Sequence, residues 1–290
     1  MPRIAACNVT FREVADFPQF AEHIRAVLDS AAGADLVVLP ELVTFELMTA
    51  SPSWPEADGL EAVMETSDFA EQFRELMAAE AAARGQYLLA GSHLVRSGGG
   101  YLNVSQLLGP NGGVLAEHAK THLFSLEHTL GIVEGDQLEV VELPFARVGI
   151  TICYEAEVPE CATSLAEQGA QVLLCPSLTL SEAGFWRVRH CLAARAVENQ
   201  VYAVHAAAGG PARKAWPGSW ARSAVLSPCD EGWPADGVLA ETAPNVDAVA
   251  LAEVDLGQLA ENRRSGAATT FADRRRRAEL YRSWPTHIPS

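Results

Sequence analysis

The feature that most restricts the fold is a repeated exchange between short apolar runs and amphipathic segments of helical length. The runs "RIAACNV", "DLVVLP", "QYLLAGSHLV", "VSQLLG", "ARVGITIC", "AQVLLCPS", "VYAVHAA", "SAVLS" and "AVALAEVDL" are dense in Val, Ile, Leu and Ala. They read as strands, several of them buried on both faces. Segments 17–32, 67–84, 157–169 and 184–200 are amphipathic and of helical length. The succession strand, helix, strand, met first near the start and again from 147 to 201, predicts an α/β protein with helices covering its sheet faces. Glycine- and proline-rich stretches at 97–100, 209–219 and 228–237 are short and flanked by more strand pattern, so they read as loops and residues 1–290 as a single domain. The longer "TASPSWPEADG", 49–59, follows an acid at a strand end and is expected to lie over a pocket.

Composition then removes several classes of function. A hydrophobic share of 49% with 20% charged residues is that of a globular chain. A net charge of -16 disfavours a phosphate-tracking surface, so no nucleic-acid partner is expected. The one basic cluster, "RRRR" at 274–277, is flanked by acids and reads as a solvated helical face. The start "MPRIAACNVT" enters a strand pattern at once, without a charged and then apolar leader, and no run approaches the roughly 18 apolar residues of a membrane span. A cytoplasmic protein with no membrane partner is expected. Cys7, Cys153, Cys161, Cys175, Cys191 and Cys229 lack metal-type spacing and read mostly as free buried thiols.

In α/β sheets, ligand-binding residues gather beyond the carboxyl ends of strands. "DLVVLPE" delivers Glu41 there, "VLAEHAK" delivers Lys120, and "VGITICYE" delivers Cys153. Singly these are a loop acid, a surface lysine and a small core residue. Together they suffice for acyl transfer: a thiol near pKa 8.5 needs a base, a desolvated carboxylate can take its proton, and an ammonium can hold an oxyanion.

The segments "LVVLPE", "AKTHLF" and "GITICYEAEVPE", in that order, resemble the nitrilase superfamily of carbon–nitrogen hydrolases. The likeness extends through "GAQVLLCPS", "FWRVRHCLAARAVENQVYAV", "AEVDL" and "RRRRAELY", and so covers nearly the whole chain. The resemblance implies a four-layer α/β/β/α sandwich with Glu41 as general base, Lys120 as oxyanion donor and Cys153 as nucleophile. It further implies Glu127 as an assisting fourth catalytic residue and the Tyr154 backbone N–H as a second oxyanion donor. Such chemistry passes through a Cys153 thioester and calls for no metal and no organic cofactor. Tyr154 stands where true nitrilases commonly carry Trp, which favours amide, ω-amide or N-carbamoyl substrates, with nitrile hydrolysis as the alternative. In the block after "ENQVY", where many relatives place asparagine, this chain has His205 and small residues.

Phe45, His122, Tyr154, Glu155, Ser177, Phe185 and Trp186 are the candidate substrate-binding residues. Arg187 and Arg189 could meet a substrate carboxylate, although a solvated helix face suits both. A metal site at His118, His122 and His128 is disfavoured because spacing of four aligns ligands only on a helix, and this stretch reads as a strand entering a loop. A noncatalytic binding protein on the same fold would be marked by loss of Glu41, Lys120 or Cys153, all of which are present. A homodimer or higher homo-oligomer is expected by family analogy, with the tail "LYRSWPTHIPS" as its contact.

Overall fold

The structure is a computed structural model and describes residues 1–54, 59–210 and 218–281. Its strands are β1 Arg3–Thr10, β2 Leu36–Val38, β3 Tyr87–Leu89, β4 His93–Ser97, β5 Gly100–Leu108, β6 Val114–Ala119 and β7 Val140–Glu142. They continue as β8 Arg147–Ile150, β9 Val172–Leu178, β10 Tyr202–Gly209, β11 Ala224–Leu226, β12 Val238–Glu241 and β13 Ala248–Glu253. The helices are α1 Phe17–Ser30, α2 Gly59–Glu65, α3 Ala70–Arg84, α4 Ser125–Thr129 and α5 Pro159–Glu167. After them come α6 Glu182–Asn199, α7 Leu256–Ser265, α8 Thr270–Arg276 and α9 Ala278–Tyr281.

Two half-sheets form the middle of a four-layer α/β/β/α sandwich. Parallel β1, β2 and β3 are extended by β5, β4, β6 and β13, while parallel β8, β9 and β10 are extended by β7, β11 and β12. The halves join where the end of β1 pairs with the end of β10, Val9 opposite Ala208 and Thr10 opposite Gly209. Strand alternation sorts the layers. Ile4, Ala6, Leu36 and Val38 share one core with Val148, Ile150 and Val172 of the other half-sheet. Ala5, Cys7, Val37 and Leu39 point the opposite way, onto Phe20, Ile24, Phe73 and Met77 of α1 and α3. On the far side α5 and α6 bury Leu165, Val188, Leu192 and Ala196 against the second half-sheet.

Local chemistry sets the helix starts. Asp16 accepts from Gln19 N at 3.0 Å to cap α1, and Ser181 accepts from Gly184 N at 3.0 Å to cap α6. The run "QYLLAGSHLV" divides into β3 and β4, because Gly91 between them has φ +67° and any Cβ there would stand 2.1 Å from Pro40 O. That close approach lies one residue from Glu41. The helix expected from 67 begins at Ala70, after a 3-10 turn at Thr66–Phe69. The "RRRR" cluster is largely exposed, as expected, yet two of its arginines also make contacts to the neighbouring helices. Arg274 reaches Asn199 Oδ1 at 2.6 Å, and Arg275 reaches Glu167 Oε2 at 2.8 Å while covering the Phe271 ring at 3.9 Å. These contacts tie α8 to α5 and α6.

Among the described residues no helix is long and apolar enough to cross a membrane. Of the loop at 49–59, residues 55–58 lie outside the described residues, as do 211–217 of the glycine-rich loop and 282–290 of the C-terminal tail. Leu280 and Tyr281, where that tail begins, are exposed.

Candidate active site

Strand ends from both half-sheets meet at one point. Leu39, Pro40 and Glu41 continue β2, with Leu39 N bonded to Leu89 O at 3.0 Å and Ser92 N to Pro40 O at 3.2 Å. Lys120 follows β6, where its N–H donates to Asn103 O at 2.9 Å. Cys153 follows β8 after Thr151, whose N–H donates to Leu174 O at 2.9 Å. Leu42 and Cys153 both adopt left-handed backbone, φ +47° and +48°. Side chains rarely accept that conformation, and it persists where surrounding contacts over-determine it, as at functional turns.

The three side chains meet over a dense polar network. Lys120 Nζ donates to Glu41 Oε1 at 2.8 Å and to Glu127 Oε2 at 2.6 Å. Asn103 Nδ2 donates to Glu41 Oε1 at 3.0 Å and Glu127 Oε1 at 3.1 Å, while Leu178 N donates to Glu41 Oε2 at 2.9 Å. Phe124 N donates to Glu127 Oε2 at 2.8 Å. The Cys153 Sγ lies 3.6 Å from Leu178 O and 3.5 Å from Ser177 Oγ, within electrostatic range of the Glu41 carboxylate. Glu41, Lys120, Glu127 and Cys153 are all buried, and they border a cavity of about 220 Å³.

A family model described as "Carbon-nitrogen hydrolase" matches residues 3–264. The chain belongs to the carbon–nitrogen hydrolase family. It is 32% identical over 94% of its length to "Probable hydrolase YhcX" of Bacillus subtilis, of which it spans about half, 54%. It is 31% identical to "Omega-amidase NIT2-A" of Xenopus laevis, covering 86% of this chain and 85% of that one. Among solved structures it resembles the NitN amidase of Nesterenkonia sp. AN1, with a TM-score of 0.73, 26% identity and coverage of 98% and 100%. A mutant of that amidase, at TM-score 0.72 and 26% identity over 98% and 100% of the chains, carries acrylamide added to its active-site cysteine. The present chain is thus a carbon–nitrogen hydrolase with the superfamily's α/β/β/α fold.

Electrostatics in this hydrolase set the resting protonation. Burial pushes the Glu41 carboxyl above its ordinary value; the Lys120 charge opposes this and the Glu127 charge adds to it. Burial alone would lower the Lys120 pKa, but the Glu41 and Glu127 charges outweigh it and raise it, holding the ammonium. Burial, then the Glu41 charge, lifts the Cys153 thiol well above its usual value, against the pull of Lys120. The sulfur therefore rests as a thiol, near a carboxylate of raised basicity. That arrangement suits proton transfer during attack rather than a standing thiolate.

The hydrolase's cavity wall differs in part from the sequence expectation. Phe45 and Tyr154 line it, and Tyr154 meets Phe124 edge-on at 6.0 Å. Five expected residues stand elsewhere, and their assignment to the wall is corrected. Glu155 turns its wholly buried carboxylate away, accepting from Ile152 N at 2.5 Å, Thr121 N at 2.8 Å, Thr121 Oγ1 at 2.6 Å and His118 Nε2 at 2.8 Å. His122 leaves the strand end toward Thr121 Oγ1 at 2.9 Å and Cys161 Sγ at 3.4 Å. Ser177 lies behind the sulfur, Oγ to Cys153 Sγ 3.5 Å, because β9 alternation presents Leu178 to the cavity instead. Phe185 faces inward from α6, stacked on His205 at 5.2 Å, and Trp186 stacks on His190 at 5.5 Å. Helical spacing gives the wall Gly184, Arg187 and Val188.

One feature escaped sequence reasoning. Asn103 sits in "YLNVSQLL", where a polar residue inside an apolar strand run was the available signal. Arg187, for which both a substrate-carboxylate role and a solvated face were expected, is half exposed and lines the cavity with Glu157, whose Oε2 it meets through Nε at 2.6 Å. His118 and His122 point to different partners, and among the described residues no group of His, Cys, Asp and Glu is placed to hold a metal.

Proposed function

We propose that this carbon–nitrogen hydrolase is an amidase that cleaves the primary amide of a small carboxylic acid through a Cys153 thioester. The supporting observation is the convergence of the buried Glu41, Lys120 and Cys153 side chains on one cavity. Glu41 takes the thiol proton as Sγ attacks the carbonyl carbon. Lys120 and the Tyr154 N–H hold the oxyanion, and Glu127 fixes Lys120. As the tetrahedral adduct collapses, protonated Glu41 passes its proton to the leaving nitrogen and ammonia departs. Water, deprotonated by the same carboxylate, then attacks the thioester carbon; the acid leaves and the proton returns to sulfur.

The cavity suggests the acyl group. A cavity of about 220 Å³ suits a small acyl group rather than a drug-sized one. Its wall is otherwise largely apolar, including Leu42, Phe45, Val63, Ile132, Leu178 and Leu180, which favours a short aliphatic arm. Arg187 gives a second reading. Among the described residues its Nη atoms have no carboxylate partner, so the guanidinium edge can receive the far carboxylate of an ω-amide, the class named for the 31% identical relative from Xenopus laevis.

The test is ammonia release from propionamide, succinamate, an N-carbamoyl amino acid and propionitrile, with intact-mass detection of the acyl-enzyme. The expected result is a thioester at Cys153 and no turnover by Cys153→Ala. Near-normal amide hydrolysis by Cys153→Ala would sink the mechanism.

A further inference from the structure

Asn103 occupies the middle of β5 and is completely buried. A single nitrogen, Nδ2, serves both glutamates, at 3.0 Å and 3.1 Å. With the two bonds from Lys120 Nζ, these contacts close a ring of Glu41, Lys120, Glu127 and Asn103. The other end of the amide is unbalanced: Oδ1 is buried and meets no donor among the described residues. Turning the amide over would bring that oxygen to the carboxylates, acceptor against acceptor, so the charges of Glu41 and Glu127 dictate its orientation.

Nothing in the strand itself calls for asparagine. β5 is held at this point through the main chain, by the Leu94 register and by Lys120 N to Asn103 O at 2.9 Å. Asparagine is disfavoured within strands, and a buried oxygen lacking a donor is destabilising. Its amide hydrogens, by contrast, are fully used.

We propose that Asn103 is a positioning residue for the hydrolysis, whose amide fixes the orientation of Glu41 and Glu127 and stabilises the ionised form of Glu41 that accepts the thiol proton. This rests on reading Glu41 as the base for Cys153. A neutral donor fits the local charge. The titratable groups facing Glu41 are Lys120 after β6, Glu127 in α4 and Cys153 after β8, with Cys175 of β9 and Arg187 of α6 in electrostatic range of the sulfur. A second cation at position 103 would make Glu41 too weak a base, and a third carboxyl would hinder its ionisation.

The experiment is the pH dependence of Cys153 alkylation by iodoacetamide, resolved from the other five thiols by peptide mass, in the wild type, Asn103→Leu, Asn103→Asp and Asn103→Ser. Propionamide hydrolysis is followed in parallel. Loss of the donor in Asn103→Leu is expected to move the acid limb up by about 1 pH unit, and Asn103→Asp further. kcat is expected to fall about 10- to 100-fold with KM changed less than about threefold. Asn103→Ser, which keeps a short hydroxyl donor, is expected to fall between, and it serves if the larger changes prevent folding. A folded Leu or Ser variant with the wild-type acid limb and kcat overturns the proposal. The base assignment is tested separately: a wild-type profile unchanged by Glu41→Gln refutes that reading whatever the Asn103 variants do.

Discussion

Replacing Glu155 by alanine should loosen the site and the fold together. Its carboxylate joins the two strand ends that carry Lys120 and Cys153, accepting from Thr121 N at 2.8 Å on one and Ile152 N at 2.5 Å on the other. His118 Nε2 at 2.8 Å and Thr121 Oγ1 at 2.6 Å complete its shell, and its side chain has 0% exposure. Alanine strands two buried backbone donors and a histidine, each at about 1–3 kcal/mol. Relaxation and non-additivity bring the expected loss to about 3–5 kcal/mol, the usual scale for breaking a buried charged contact. For a chain of this size that lowers Tm by about 10 °C. With Ile152 no longer pinned, the left-handed turn at Cys153 drifts, and a displacement near 1 Å costs about 100-fold in kcat.

The assays are calorimetric Tm and kcat for propionamide, for Glu155→Ala and Glu155→Gln. Glutamine keeps one acceptor but sets an NH₂ against an N–H, so it should restore part of the stability and little of the activity. Burial alone would raise the Glu155 carboxyl, but His118 and Thr121 hold it below its ordinary value. Its contribution is therefore present above about pH 4.5 and lost as pH falls through the lowered value. A Glu155→Ala protein with wild-type Tm and kcat would refute the assignment of this residue as the tie between the two strands.

Three further outcomes follow from other buried groups. On the proposed mechanism Glu41 is ionised to take the thiol proton, and burial raises its pKa, so the acid limb of kcat/KM should lie above the ordinary carboxylate value of about 4.3; a limb at about 4 contradicts this. Lys120 is held protonated by its two carboxylates, so no alkaline loss is expected through about pH 9. His23 binds Glu46 and Asp247; burial lowers its pKa, but these hydrogen bonds prevail and raise it to about 9 from 6.5. Up to about 3 kcal/mol of stability should be fully present below pH 6.5 and disappear as pH rises through 9. Tm measured across that range should fall in the wild type and stay flatter in His23→Gln; parallel curves refute it.

The apolar periodicity determined the architecture. Alternating buried strands and one-faced helices have few packings other than layered α/β, and "RIAACNV", "DLVVLP" and "AQVLLCPS" became β1, β2 and β9 at nearly the expected places. Glu41, Lys120 and Cys153 were legible because strand termini are readable and each is a polar residue just past an apolar run. The directions of neighbouring side chains were not. Whether Glu155 faces the cavity or the Thr121 N–H depends on the left-handed φ of Cys153 and on a partner 34 residues away.

Whether Phe185 or Arg187 reaches the wall depends on how α6 is rotated against β10, a packing outcome that its residues, apolar and charged by turns, do not announce. Asn103 shows the same limit. In sequence it is one polar residue in a strand; only the approach of α4 and the β2 and β6 ends gives its amide two carboxylates to bind. Sequence thus determined which chemistry is carried and on which elements. Tertiary packing decided which side chains share the buried space, because charge interactions, desolvation and hydrogen-bond geometry act between residues distant in the chain and exist only after the layers close.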